Sequence, residues 1–139
     1  MISQTKFLAI LLTASTISII LIVNSSSETQ FDYDNFSLDA MYAEDDNSIT
    51  VTFSDSTGNS SFAILEILGM ETTYHEEFEI TNSEFSKIIP IKQIPKYGWK
   101  TTPVILKITY ENTIVEMKTE VYEKGESSPK VIFSTSQSN

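Results

Sequence analysis

The 139-residue chain contains neither cysteine nor arginine. The lack of cysteine excludes disulfide bridges, thiolate zinc sites, a thiol nucleophile and a lipid-modified cysteine anchor. The phosphate-binding glycine loop, the dinucleotide fingerprint and the G-x-S-x-G and H-E-x-x-H motifs are also missing. The one histidine, His75, has no serine motif beside it. We therefore predict that the chain is not an enzyme, with paired carboxylates of the glycosidase kind as the catalytic alternative.

Basic residues are few and unevenly distributed. Nine lysines stand against nineteen acidic residues, and the net charge is −10. No lysine occurs between Phe7 and Ser86, while carboxylates are frequent there. A field of this sign repels nucleic acid and anionic lipid, so we expect no nucleic-acid partner. It favours solubility, bound cations or a basic partner.

Residues 7–23 form an uncharged hydrophobic run directly after Lys6. As a helix the run would be roughly 26 Å long, which is borderline for crossing a bilayer. Lysine on its N-terminal side predicts that residues 1–6 stay in the cytoplasm and that the rest lies outside. The run is either a cleaved signal peptide or a retained membrane anchor, and the serine-rich residues 24–30 form a polar tether. We expect an extracytoplasmic protein, secreted or held to the membrane through residues 7–23 if these are uncleaved.

Beyond the tether, apolar residues recur with a period of two, which is typical of β-strands. In the clearest case Ile49, Val51 and Phe53 alternate with polar residues. Such patterns predict seven or eight strands, with candidates at residues 36–42, 48–54, 62–68, 74–80, 85–91, 104–110, 115–121 and 131–133. We predict an all-β fold in which one N-terminal hydrophobic helix precedes an antiparallel Greek-key β-sandwich over residues 31–134. A polar tail follows at residues 135–139, and a small closed barrel is the alternative architecture.

The hairpin at residues 104–121 yields the most specific expectation about side-chain direction. A slip of one residue in either strand would bury its charges and expose its apolar set. The residues predicted to point inward are Val104, Leu106, Ile108, Val115, Met117 and Val121. The residues predicted to face solvent are Lys107, Glu116, Lys118 and Glu120.

An export segment, a tether and a run of strands that ends in the hairpin of residues 102–110 and 113–121 resemble an immunoglobulin-like or fibronectin-type-III-like surface module. The resemblance implies an immunoglobulin-like β-sandwich, a fold whose members have no common activity. The missing catalytic motifs and the exported β pattern predict a module that acts through surface contact, with an envelope or cell-surface protein as partner. The arginine-free, isoleucine-rich, acidic composition, with the stretch Pro95-Lys-Tyr-Gly-Trp99, is similar to that of small secreted proteins of marine ammonia-oxidising archaea.

Acidic residues next to predicted turns are the candidate metal ligands. Calcium takes several oxygen ligands from carboxylates and loop carbonyls. Asp32 and Asp34 precede the first predicted strand, and Asp45 and Asp46 follow it. They make a calcium-type cation-binding domain the alternative function, with calcium as the one cofactor in question. Solvated turns are the simpler interpretation.

Two further acidic patterns are weaker candidates for a metal. Asp55 and Asn59 lie in a glycine-containing turn that could supply oxygen ligands. His75 shares a strand face with Glu77 and Glu79, an arrangement able to hold a transition metal. A single imidazole is a poor ligand set, and an exposed acidic strand face is the simpler interpretation.

Tyr97 and Trp99 are the candidate binding surface, since aromatic rings in a loop stack on sugars or fill a partner's pocket. They make a carbohydrate-binding module a third functional alternative. In the competing interpretation Trp99 covers one end of the core. Glycosylation candidates stand in three N-x-[ST] sequons, at Asn24, Asn35 and Asn59.

Overall fold

The computed structural model describes residues 30–138 of the chain. The predicted helix at residues 7–23, the candidate Asn24 and nearly all of the tether lie outside these residues. Within residues 30–138, no helix has the length and apolar character needed to cross a bilayer. The regular elements of this part are strands and two single-turn 3-10 helices, at Tyr33–Asn35 and Trp99–Thr101.

Nine strands follow one another along the described part. They are β1 (Phe36–Ala43), β2 (Ser48–Asp55), β3 (Ser60–Ile67), β4 (Tyr74–Glu79), β5 (Glu84–Pro90), β6 (Pro103–Tyr110), β7 (Thr113–Glu120), β8 (Tyr122–Glu123) and β9 (Ile132–Gln137). All eight candidate strands of the sequence analysis are present, the upper number of the predicted seven or eight. The additional strand, β8, is too short to show a period-two pattern.

The strands form two sheets, in the orders β5-β2-β1-β8 and β4-β3-β6-β7-β9. The all-β sandwich prediction is confirmed at this level, and two separate sheets rule out the single closed barrel. The pairing differs from the prediction at one place, because β8 runs parallel to β1 while the other ladders of the described part are antiparallel.

The core lies where alternate residues of the two sheets meet. Ala40, Val51 and Leu65 are fully buried at the centres of their strands. The predicted orientation of the hairpin β6–β7 is confirmed, because all six residues expected inside are buried. Lys107 and Glu116 lie opposite each other on the outer face, with Nζ 3.7 Å from Oε2.

The last strand is longer than predicted. β9 continues to Gln137, so residues 135–137, expected to be a polar tail, pair with β7. The apolar alternation ends at Phe133 and gives no sign of this extension. A backbone ladder does not require apolar side chains, however, and the serines and threonine continue it.

Candidate functional site

A groove runs between two loops that connect strands at one end of the sandwich. One loop, residues 68–73, joins β3 to β4, and the other, residues 91–98, lies between β5 and the Trp99 turn. The groove consists of two adjoining cavities of ≈ 320 Å³ and ≈ 330 Å³, which share Met70, Glu71 and Gln93 as lining residues. We call it the loop groove.

The first loop lies against the backbone of the 3-10 helix Trp99–Thr101 at Gly69. Gly69 has a φ of +78°, and a Cβ atom there would lie 2.5 Å from the carbonyl oxygen of Thr101. The neighbouring Leu68 N–H donates to the Pro103 carbonyl oxygen at 3.0 Å. Only glycine combines this backbone conformation with so close an approach, so the residue fixes the position of the first loop against the 3-10 helix Trp99–Thr101, which directly follows the second loop.

A tight turn shapes the second loop. The Gly98 N–H donates to the Pro95 carbonyl oxygen at 3.0 Å, and Pro95 is buried. The hydroxyls of Thr101 and Thr102 donate to the Gly98 carbonyl oxygen at 3.0 and 3.3 Å. These bonds restrict the loop while the side chains before Gly98 stay at the surface.

The structure separates the two predicted aromatic contact residues. Trp99 is only 5% exposed and packs on Tyr42, with ring centroids 4.4 Å apart. Its indole Nε1 is buried without a hydrogen-bond partner in the described part. Tyr97 is 76% exposed, and nearby Ile94 is 55% exposed. Trp99 therefore belongs to the core, as the competing interpretation held, and Tyr97 with Ile94 makes the accessible surface.

The loop groove is cationic on an acidic protein. Residues 85–110 hold five lysines and no carboxylate side chain. Lys92 and Lys96 line the groove on this side, and Glu71 lines it on the other. The Lys96 ammonium lies 5.3 Å from the centre of the Tyr97 ring. The groove thus offers two ammonium groups beside exposed apolar surface.

The predicted calcium ligands do not come together. The Asp32 carboxylate accepts hydrogen bonds from the Asp34 N–H at 3.1 Å and from Asn35 Nδ2 at 3.2 Å. Asp45 and Asp46 are exposed at the opposite end of β1. An eight-residue strand is roughly 26 Å long, so one cation cannot contact both pairs. Within residues 30–138, no three potential His, Asp or Glu ligands are grouped to hold a metal.

Asp55, another residue of the calcium hypothesis, holds a turn closed. Its fully buried carboxylate accepts hydrogen bonds from the backbone N–H groups of Thr57, Asn59 and Ser60 and from two hydroxyls. Burial acts to raise the pKa of Asp55, but the bonds from Thr57 and Ser60 outweigh it and lower the pKa below 3.8. The carboxylate oxygens are therefore occupied by protein donors.

His75 lies between two carboxylates on the outer face of β4. Nδ1 is 3.1 Å from Glu66 Oε1, and Nε2 is 3.2 Å from Glu77 Oε1. The bonds to Glu66 and then to Glu77 raise the pKa of His75 above 6.5. Glu77 was predicted to share this face, whereas Glu66 comes from the neighbouring strand β3. Both ring nitrogens are engaged, which favours an ion-paired imidazolium.

The two sequons within the described part differ in accessibility. Asn35 is half-buried; its amide donates to Asp32 Oδ2 at 3.2 Å and accepts from the Ser56 hydroxyl at 3.0 Å. Asn59 is exposed in the turn after β2, and its Nδ2 donates to Glu111 Oε1 at 3.3 Å. Asn59 is therefore the more accessible acceptor.

The loop groove is the part of the described surface where a cavity, exposed apolar side chains and an isolated group of positive charges coincide. Such an arrangement suits recognition of a partner by contact, through apolar burial and ion pairing. No family model, no curated protein and no solved structure matches the chain.

Proposed function

We propose that the chain is an exported, non-catalytic β-sandwich module that binds a protein of the cell envelope or cell surface through the loop groove. The exposure of Ile94 and Tyr97 on restrained loops carries the proposal. A loop backbone that is restrained before binding loses little conformational entropy when a partner covers its side chains. Tyrosine is also enriched among the residues that dominate binding energies at interfaces.

The order of the strands supports an immunoglobulin-like or fibronectin-type-III-like Greek key. With β1, β2, β3, β5, β6 and β7 labelled A, B, C, E, F and G, one sheet contains A, B and E and the other contains C, F and G. This division matches the immunoglobulin sandwich, with β4 added beside C, β8 beside A and β9 beside G. Such sandwiches have no common activity, so the function is assigned to the loop groove and not to the fold.

Export is supported by the uncharged run at residues 7–23 after Lys6. The intact mass of the protein from its native host tests it. Loss of the first residues up to the serine-rich tether demonstrates a cleaved signal peptide, and an uncleaved mass in the membrane fraction demonstrates an anchor. Added glycan mass reports on Asn24, Asn35 and Asn59. A full-length protein in the cytoplasmic fraction would contradict export.

Binding through the loop groove is tested by crosslinking at the cell surface with tagged protein. The double variant Ile94→Ser/Tyr97→Ala removes the exposed apolar surface of the groove. Ile88→Ser is the matched control, since Ile88 is 70% exposed on β5 but does not line the groove. The wild type and the control should recover the same defined partner, and the double variant should not.

Equal recovery by the double variant, with unchanged thermal unfolding, would rule out the loop groove as the contact. Turnover of a substrate by the purified wild type would rule out the non-catalytic assignment. The two results are independent, so each part of the proposal can fail alone.

The two alternative functions have less support. The calcium-type hypothesis depended on Asp32, Asp34, Asp45 and Asp46, which lie in two pairs at opposite ends of β1. The carbohydrate hypothesis depended on two available aromatic faces, and Tyr97 alone is exposed in that pair.

A further inference from the structure

The outer edge of β9 differs from the other three sheet edges of residues 30–138. The sheets end at β5, β8, β4 and β9. Edge strands with free backbone groups pair readily with other strands, and proteins block them with charges, proline or short length. β4 carries His75, Glu77 and Glu79, β5 carries Lys87 and Pro90, and β8 has two residues. β9 has six residues and contains none of these blocking features.

The direction of the β9 backbone groups follows from one hydrogen bond. The Ser138 N–H donates to the Asn112 carbonyl oxygen at 3.0 Å, in register with the β7–β9 ladder. Hydrogen-bonded and non-bonded pairs alternate along an antiparallel ladder. The residues whose backbone groups point towards β7 are therefore Ile132, Ser134 and Ser136. Those whose backbone groups point to the outer edge are Phe133, Thr135 and Gln137.

The pairing of β6 with β7 gives the same result independently. The Val121 N–H donates to the Thr102 carbonyl oxygen at 3.2 Å, in register with the β6–β7 ladder. By the same alternation, Thr113, Val115 and Met117 point their backbone groups towards β6. The backbone groups of the intervening residues of β7 then point towards β9, as the hydrogen bond between Ser138 and Asn112 also requires.

We propose that β9 pairs antiparallel with β9 of a second copy of this chain, about a two-fold axis at Thr135. In this register Thr135 lies opposite Thr135 of the second copy, and Phe133 lies opposite Gln137 of the second copy. Every outward N–H and C=O group of β9 is then paired, and Ile132, whose backbone groups point towards β7, lies opposite Ser138 of the second copy. The two five-stranded sheets join into one continuous sheet.

Charge favours this edge for contact between two copies. With a net charge of −10 per chain, most of the surfaces of two copies repel each other. Residues 127–138 contain no carboxylate side chain, and Lys130 is their one charged residue. Pairing along β9 therefore brings no like charges directly opposite each other within the strand. Pairing of a second copy along β9 does not involve the loop groove, so the inference is independent of the proposed binding site.

The cysteine-free chain allows a crosslinking test of the register. In the proposed pair Ser134 lies opposite Ser136 of the second copy, with Cα atoms about 4.5 Å apart. A disulfide can bridge that distance. Two copies of Ser134 are diagonal neighbours roughly 8 Å apart, which is beyond disulfide reach.

The experiment uses two full-length proteins, Ser134→Cys and Ser136→Cys, purified separately in the reduced form and mixed before mild oxidation. The mixture should give several-fold more covalent dimer than either protein alone at the same total concentration. His75→Cys mixed with Glu77→Cys is the matched control, because these residues have the same spacing on the acidic edge strand β4. The control mixture should show no such excess.

Thr135→Pro, introduced into both cysteine proteins, removes an outward N–H and leaves the ladder to β7 intact. It should abolish the excess dimer while far-UV circular dichroism stays that of a β protein. Equal dimer yields from the mixture and from the single variants would overturn the proposed register. An equal excess in the β4 control would overturn the assignment to β9. Both results are read from the cysteine variants and do not depend on whether the proline variant folds.

Discussion

The Lys87 ammonium lies 2.7 Å from the Glu76 carboxylate and joins the edge strand of one sheet to the edge strand of the other. Both side chains point to the half-buried side of their strands. The ammonium also lies 4.1 Å from the centre of the Phe78 ring, and the Tyr74 hydroxyl donates to the second oxygen of Glu76. Burial, followed by the interactions with Glu76, raises the pKa of Tyr74 to about 12. This cluster closes one open side of the sandwich.

The first prediction concerns the coupling between Lys87 and Glu76. A double-mutant cycle with Lys87→Met and Glu76→Gln should give a coupling of about 1 kcal/mol. The value is near the upper end for surface pairs because the two side chains are 30% and 34% exposed. Urea unfolding of the four proteins measures it. Additive effects of the two substitutions would contradict a direct interaction.

The Lys87–Glu76 pair should also make the stability of the domain depend on pH. The bond from Lys87, and then that from Tyr74, lowers the pKa of Glu76 below 4.5. A carboxyl group whose pKa is lower in the folded state than in the unfolded state stabilises the folded protein. The stabilisation is complete above the pKa of the unfolded state, and it disappears as the pH falls through the pKa of the folded state. Lys87→Met should therefore cost less stability at about pH 2.5 than at pH 7. An equal cost at both values would mean that packing of the lysine stem, and not charge, is responsible.

The second prediction concerns the buried carboxylate of Asp55. Asp55→Ala should destabilise the domain by about 3 kcal/mol, because several donors of the following turn lose a charged acceptor. Asp45→Ala is the control, since Asp45 is exposed in the turn after β1, and it should change stability by less than about 0.5 kcal/mol. Chemical denaturation at neutral pH measures both. Similar values for the two variants would contradict the structural role of Asp55.

Acidification should act on the same carboxylate. The pKa of Asp55 in the folded protein lies below 3.8. The stabilisation by Asp55 is therefore complete above its pKa in the unfolded chain, and it is lost as the pH falls through its pKa in the folded protein. Wild-type protein should therefore lose more stability between about pH 5 and about pH 2 than Asp55→Ala does. A parallel loss in the two proteins would assign the acid sensitivity to other carboxyl groups.

The strands could be predicted because half-buried strands impose a period of two on the sequence. In β2, Ile49, Val51 and Phe53 carry that period, and the structure buries all three. The inward positions of Glu76 and Lys87 could not be predicted in this way. A charge on the inner side of a strand is tolerated only when a partner meets it, and this partner lies on the other sheet.

The surface residues of the candidate site were harder to predict than the strands. Tyr97 and Trp99 are two positions apart in the same loop, yet one is exposed and the other is buried against Tyr42. Their separation depends on the packing of the turn at Gly98, which carries no periodic pattern. Gly69 and Ile94 were likewise not predicted to belong to the site, because contacts between segments that are distant in the sequence depend on tertiary structure.

The third prediction concerns the inner and outer faces of β6. Leu106→Ala should cost roughly 2–5 kcal/mol, because Leu106 is fully buried and its truncation leaves a cavity. Lys107→Ala should cost less than about 1 kcal/mol, since its pair with Glu116 is solvent-exposed. Thermal and urea unfolding of both variants measure the difference. Comparable costs would contradict the assigned orientation of the strand.

The last prediction concerns Gly69, where the first loop of the groove meets the backbone of Thr101. Gly58→Ala provides the matched control, because Gly58 has a φ of +69° and nothing within 4 Å of an added Cβ atom. Gly58→Ala should lower the free energy of unfolding by roughly 1–2 kcal/mol, because a left-handed backbone is unfavourable for a residue with a Cβ atom. Gly69→Ala has the same backbone penalty, since φ is +78° there, and its Cβ atom must also displace the Thr101 backbone. It should therefore cost roughly 2–5 kcal/mol.

Gly69→Ala should also shift the first loop relative to the 3-10 helix Trp99–Thr101 and weaken binding of the partner proposed for the loop groove, while Gly58→Ala leaves binding unchanged. Unfolding measurements and surface crosslinking on the same two variants separate these effects. Equal destabilisation by the two substitutions would mean that the Thr101 backbone yields easily and that Gly69 does not fix the position of the first loop. A normal yield of crosslinked partner from a strongly destabilised Gly69→Ala protein would instead place the partner's contact elsewhere on the sandwich.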